Sequence, residues 1–167
     1  LNINDKKYDF RVSTMPTLES ESIVLRILDN KNIDKNLQTL GISSDLLDIL
    51  TKALKLTQGL ILISGPTGSG KTTTLYSILK ELNSEEKKII TVEDPIEYKI
   101  DSICQIPINN KIGLSFEVVL KNILRQDPDI IFIGEIRDKL SLDVALQASL
   151  TGHLVIASIH ANSSVET

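Results

Sequence analysis

Gly65-Pro66-Thr67-Gly68-Ser69-Gly70-Lys71-Thr72 stands between an apolar run, Leu60 to Ile63, and a stretch of helical pattern that begins near Lys71. These eight residues match G-x-x-x-x-G-K-[ST], with a strand before and a helix after, as the motif requires. Glycines let backbone N–H groups turn inward around phosphates, and the positive N-terminus of the following helix attracts them. On this reading Gly65, Pro66, Thr67, Gly68, Ser69, Gly70, Lys71, Thr72 and Thr73 bind a nucleoside triphosphate. Lys71 reaches the β and γ phosphates, and the Thr72 hydroxyl ligates Mg²⁺.

Around this loop, strands and helices alternate. Helical spacing of Leu46, Leu47, Leu50, Ala53 and Leu54 predicts a helix from a Ser43 or Ser44 cap to about Thr57. Helices are also predicted over Lys71 to Leu82, Ser115 to Gln126 and Lys139 to Leu150. Strands are predicted over Ile89 to Val92, Ile130 to Ile133 and Leu154 to Ile159, with Asp127-Pro128-Asp129 breaking the third helix. Such alternation gives an α/β fold, a parallel sheet covered by helices that binds ligands at the carboxyl ends of its strands. Tyr8 to Thr14 and Ser22 to Leu28 read as an antiparallel pair around a Pro16 turn. Residues 1–28 are therefore expected to be the end of an N-terminal domain, 29–42 a linker, and 43–167 the nucleotide core, truncated at its C-terminus.

The 167 residues suffice for one good core, and 41% hydrophobic with 24% charged residues is ordinary for a globular chain. No apolar run approaches the roughly 20 residues of a membrane span, and the N-terminus lacks a signal-peptide core, so the expected compartment is the cytoplasm. One cysteine, Cys104, read as a half-buried strand residue, excludes an internal disulfide framework and any multi-cysteine zinc site within these residues. A net charge of −4 gives no footprint for nucleic acid, and no direct nucleic-acid contact is expected. Arg11, Arg26, Arg125 and Arg137 are the only arginines among 18 basic residues, which suggests positions that need a planar, permanently charged fork.

Polar residues follow four strands: the phosphate loop, Glu93-Asp94, Gly134-Glu135 and His160. Phosphoryl transfer to water needs positioned Mg²⁺, a carboxylate for the attacking water, and positive charge. Glu135 is the expected catalytic carboxylate, because it ends a strand separated from the loop strand by an added one. Gly134 stands where many phosphate-loop enzymes place an Asp, so the metal rests on Thr72, with Glu93 or Asp94 helping through water. Glu97 shares that charged turn, and its place on the ligand edge gives it an expected water or Mg²⁺ role with Glu93 and Asp94. His153 and His160 bracket one strand and stand roughly 20 Å apart. His160 is the candidate γ-phosphate sensor, and His153 is expected to be structural or to make a subunit contact.

GPTGSGKTTTLYSIL, ITVEDPIEY, LRQDPDIIFIGEIRD and LTGHLVIASIHAN together resemble the Walker A, aspartate box, Walker B and histidine box of the secretion ATPases of type II secretion and type IV pilus assembly. DFRVSTMPT and IVLRIL resemble the end of that family's N-terminal domain, and they favour the assembly and export branch. The resemblance implies a RecA-like P-loop core after a smaller, PAS-like N-terminal α/β domain. It further implies a homo-hexamer with ATP between the domains, and work on pilins or pseudopilins through an inner-membrane platform and cytoplasmic adaptor proteins. Membrane association would come only through those partners. By the same resemblance Arg11 and Arg26 match the family's N-terminal arginines, and Arg137 follows the Walker B glutamate. The segments DKLSLDVALQ and SIHANSSVET depart from the family pattern. The chain reads as a fragment without the family's downstream four-cysteine zinc region.

The leading expectation is an ATP-hydrolysing motor for type II secretion, pilus assembly or DNA uptake. A pilus retraction ATPase is a near relative. A nucleic-acid translocase and a non-hydrolysing nucleotide-dependent scaffold are the readings from other classes.

Overall fold

The computed structural model describes residues 2–3, 6–7, 9–28 and 36–161; Tyr8, the expected linker residues 29–35 and the end of the chain, 162–167, lie outside the described residues. Two compact units form, Leu1–Asp34 and Lys35–Thr167.

In the first unit β1 (Asn2–Ile3) pairs with β2 (Lys6–Lys7), and β3 (Asp9–Pro16) pairs antiparallel with β4 (Glu21–Leu28). Pro16 closes β3 rather than sitting in the turn. The turn is held by Thr17, whose N–H donates to Ser20 O at 2.9 Å and whose Oγ1 accepts the Ser20 N–H at 3.1 Å. The register sets Arg11 directly opposite Arg26, so both guanidinium groups leave the same face of the hairpin.

The second unit is a three-layer α/β/α sandwich. After a 3-10 turn at Leu37–Thr39 come α1 (Ser44–Ala53), β5 (Gly59–Ser64), α2 (Lys71–Leu82), β6 (Ile89–Glu93) and β7 (Cys104–Pro107). They are followed by α3 (Phe116–Ile123), β8 (Ile130–Ile136), α4 (Lys139–Leu150) and β9 (Leu154–Ile159). All five sheet strands are parallel, in the order β5-β9-β8-β6-β7. Alternation along the strands sorts the core into two faces. Ile89, Ile130, Phe132, Leu154 and Ile156 meet Leu75, Tyr76, Ile78 and Leu79 of α2. Ile90, Val92, Ile131, Ile133, Val155 and Ala157 meet Val119, Leu120 and Ile123 of α3 and Ala145 and Ala148 of α4. Helices on both faces cover the parallel strands, which is why β6, β8 and β9 are mostly apolar along their length.

Several local features depart from the sequence-based expectations. Leu37 is 2% exposed in the α2-side core, so residues from 36 onward pack with the nucleotide unit rather than spanning a gap. α1 stops at Ala53, and Ser43 takes the N-cap conformation without making a side-chain cap bond. The strand β7 escaped the periodicity because it has four residues, none fully buried, and ends in Pro107. Cys104 lies in that strand but is exposed, not half-buried, because β7 is an edge. β8 runs to Ile136 rather than stopping at Ile133, since a bulge between those residues absorbs one extra position against β9.

His153 caps the far edge. With its ring N–H on Nδ1, it donates to Ala148 O of α4 at 3.1 Å, while Gly152, at φ 98°, turns the chain out of the helix.

Phe132, 1% exposed, is the largest fully buried side chain of the sheet. Replacing it with Ala should cost about 3–5 kcal/mol of stability by urea unfolding, as large-to-small changes in a packed core do. A loss under about 1 kcal/mol would mean that this face is not close-packed.

Candidate active site

The carboxyl ends of β5, β6, β8 and β9 bring the phosphate loop, Glu93-Asp94, Glu135 and His160 to one edge. The three helices nearby begin differently. Ser115 Oγ accepts the Val118 N–H at the start of α3 (3.3 Å), and Asp138 Oδ1 accepts the Ser141 N–H at the start of α4 (2.8 Å). The Ser141 hydroxyl and amide together hold the Asp138 carboxyl below its ordinary range. α2 begins at Gly70, with φ 93°, and no side chain caps it. Its first-turn amides therefore face the loop mouth without a side-chain acceptor, which suits a phosphate. Gly65 takes φ 155°, a backbone conformation that residues with a Cβ rarely adopt, and a Cβ there would also crowd Ser69 Oγ at 2.7 Å.

From Lys71 a continuous chain of contacts crosses the edge. The Lys71 ammonium donates to Gly65 O at 2.6 Å and Pro66 O at 3.0 Å, and lies 3.3 Å from His160 Nδ1. An ammonium can only donate, so Nδ1 is the acceptor and the ring proton sits on Nε2. That proton meets Glu135 Oε1 at 2.6 Å. Glu135 Oε2 accepts Arg137 Nε at 2.6 Å, and Arg137 NH1 reaches Asp94 Oδ2 at 3.1 Å. The bond to Glu135, reinforced by the charges of Glu135 and Asp94, raises the Arg137 guanidinium above its ordinary value against a smaller desolvation penalty.

The bulge in β8 is what presents Glu135. A Cβ at Gly134 would be crowded, 3.2 Å from Val92 O and 3.4 Å from Glu93 Cα and Cγ, so β6 would have to give by a few tenths of an ångström to admit one. Its carbonyl accepts the Ser158 hydroxyl at 2.5 Å. A cavity of about 330 Å³ opens beside Asp94, Glu135 and Arg137 and is walled opposite by Ser115, Phe116 and Glu117 of the α3 start. That wall carried no sequence signal, because its residues meet the site only through the crossover from β7.

Glu93 departs most from expectation. It is 3% exposed, and its oxygens are taken by the Tyr76 hydroxyl, by Thr91 Oγ1 at 2.6 Å and by Gln105 Nε2 at 3.3 Å. A carboxylate enclosed by three protein donors holds protein rather than water or metal, and exposed Asp94 is the member of the pair that reaches the edge. Glu97 enters through its backbone, whose N–H donates to the Tyr76 hydroxyl at 3.3 Å. Arg11 and Arg26 stand directly opposite each other on the hairpin of the first unit. Among the described residues no three His, Cys, Asp or Glu side chains converge as a metal cage, and no helix is long and apolar enough to cross a membrane.

The Type II/IV secretion system protein family matches residues 1–167. The chain is 49% identical over 164 residues to type II secretion system protein E of Xanthomonas campestris, covering 98% of this chain and 29% of that protein. It is 48% identical over 165 residues to type II secretion system ATPase E of Vibrio cholerae, covering 99% of this chain and 33% of that protein. Among solved structures, the pilus retraction motor PilT with bound ADP superposes with a TM-score of 0.79 at 34% identity, over 93% of this chain and 45% of that one. The chain thus spans about a third of the length of the curated relatives it matches. With the phosphate loop, the glutamate-bearing bulge and the β9 histidine on one edge of a RecA-like sheet, and with the match running from end to end, this chain belongs to the Type II/IV secretion system protein family.

Proposed function

We propose that the chain is the ATP-hydrolysing core of a motor that drives pilin or pseudopilin assembly for type II secretion, a type IV pilus or DNA uptake. The observation that carries this reading is the unbroken path from Lys71 through His160, Glu135 and Arg137 to Asp94 beside the phosphate loop. Its named relative, type II secretion system ATPase E, supports the secretion branch at 48% identity.

The donor set fits a triphosphate: a glycine loop that excludes side chains, an uncapped helix start, and an ammonium at the loop mouth. Residues Gly65 to Thr73 would hold it, with Thr72 and, through water, Asp94 as the protein groups for Mg²⁺. Bound Mg²⁺-ATP supplies the electrophilic phosphorus and neutralises part of its charge. Glu135 orients and deprotonates the attacking water, and Arg137 and His160 fix both of its oxygens. Because His160 shares Lys71, it reports whether that ammonium is drawn away from Gly65 and Pro66. Arg11 and Arg26, adjacent on the hairpin, supply positive charge across a subunit boundary of a homo-hexamer.

The motor acts on the cytoplasmic side of the inner membrane, and platform and adaptor proteins hold it there. Pilus retraction is the second reading, favoured by the superposition on PilT.

In the whole protein carrying this chain, specific Mg²⁺-dependent ATPase activity should rise with protein concentration, since a trans-acting arginine is worth about 10³- to 10⁵-fold in rate. Added polynucleotide should leave it unchanged. Activity independent of concentration and stimulated by DNA would favour a translocase, and none at any concentration would favour a scaffold. Lys71→Ala should weaken nucleotide binding and turnover together; binding as tight as in the unaltered protein would contradict the phosphate-loop assignment.

A further inference from the structure

Tyr76 lies five residues beyond Lys71 on α2 and is 3% exposed. Its ring packs edge-on against Tyr98 at 5.3 Å and Phe132 at 6.3 Å between centroids. Packing alone would be served by phenylalanine, yet the hydroxyl is fully used. It donates to Glu93 Oε2 and accepts the backbone N–H groups of Glu97 and Tyr98, each at 3.3 Å. Burial first, and then the bond to Glu93, hold the phenol well above its ordinary value, so it stays a donor.

The other Glu93 oxygen accepts Thr91 and Gln105, and Gln105 in turn donates to Tyr98 O at 2.9 Å and accepts the Ile100 N–H at 2.8 Å. Burying a carboxyl group costs free energy unless protein donors replace its hydration, and here Tyr76, Thr91 and Gln105 do so. The arrangement does fix the segment from Glu93 to Ile100 against the phosphate-loop helix. Asp94, in that segment, holds Arg137, and Arg137 holds Glu135.

Resting on the hydrolytic reading above, we propose that Tyr76 is a positioning residue: its hydroxyl ties the phosphate-loop helix to the end of β6, and so sets where Asp94 holds Arg137 and Glu135. Contacts then close into a ring, from Lys71 through His160, Glu135, Arg137 and Asp94 to Glu93 and Tyr76, and back along α2. One side of the ring feels the phosphates, and the other aims the carboxylate.

The test uses Tyr76→Phe, Glu93→Gln and the double variant in the whole protein. Nucleotide affinity is read by equilibrium binding, turnover at saturating ATP, and fold by thermal unfolding. Tyr76→Phe keeps both ring contacts and should leave Kd within about threefold while turnover falls about 10- to 100-fold, the scale of a misplaced catalytic group. Because the two side chains act through one bond, the double variant should lose little more than the worse single variant. Amide exchange at Glu97 and Tyr98 should quicken in Tyr76→Phe. Turnover within twofold of the unaltered protein, parallel loss of binding and turnover, or fully additive losses would each overturn the proposal. The hydrolytic reading is judged separately, by whether the unaltered protein turns over ATP; if it does not, unchanged amide exchange in Tyr76→Phe would show that the tie itself is absent.

Discussion

Glu135 has two carboxylate oxygens, and each ties it to a different part of the ligand edge. One meets His160, which shares the ammonium of Lys71; the other meets Arg137, which is anchored on Asp94. Everything nearby is arranged so that this carboxylate can be in that place. The bulge in β8 lifts it from the strand, and the bare Gly134 lets β6 press close behind it. The ion pairs are half exposed, and pairs of that kind contribute only about 0–1 kcal/mol to stability. On the proposed hydrolytic reading they orient rather than stabilise, because a carboxylate held at both oxygens keeps one geometry.

The molecule divides its burial accordingly. Its apolar mass lies in two cores on opposite faces of the sheet, and neither depends on the ionic chain at the edge. Among the described residues the one buried carboxylate, Glu93, is enclosed with Tyr76, Thr91 and Gln105 between α2 and β6. On the proposed reading, a rigid sheet with a charged, partly exposed edge would suit a motor unit, because a bound nucleotide could rearrange the edge without disturbing the cores.

Much of this was legible in the sequence. The phosphate loop, the apolar strands and the helix over Lys71 to Leu82 follow from motif and period, because each has a strong local signal. The joint position of Glu135, His160 and Lys71 was legible too, since parallel strands put all their carboxyl ends on one edge. What stayed hidden depends on neighbours that lie far off in the chain. β7 has too few apolar residues to reveal itself. Leu37 belongs to a core most of whose buried members, from Leu75 to Ile156, lie far along the chain. The bulge at Gly134 shows only against β9. Glu93 and Asp94 looked alike as adjacent acids on a loop, and only the approach of Tyr76 and Gln105 separates a buried anchor from an exposed one.

The most direct measurement compares ATP binding and ATP turnover in Glu135→Gln of the whole protein. Glutamine keeps the shape of the side chain but cannot accept a proton from water, so the account predicts ATP affinity close to that of the unaltered protein and turnover abolished. Turnover that survives the change would place the catalytic carboxylate elsewhere and contradict the central role given to Glu135.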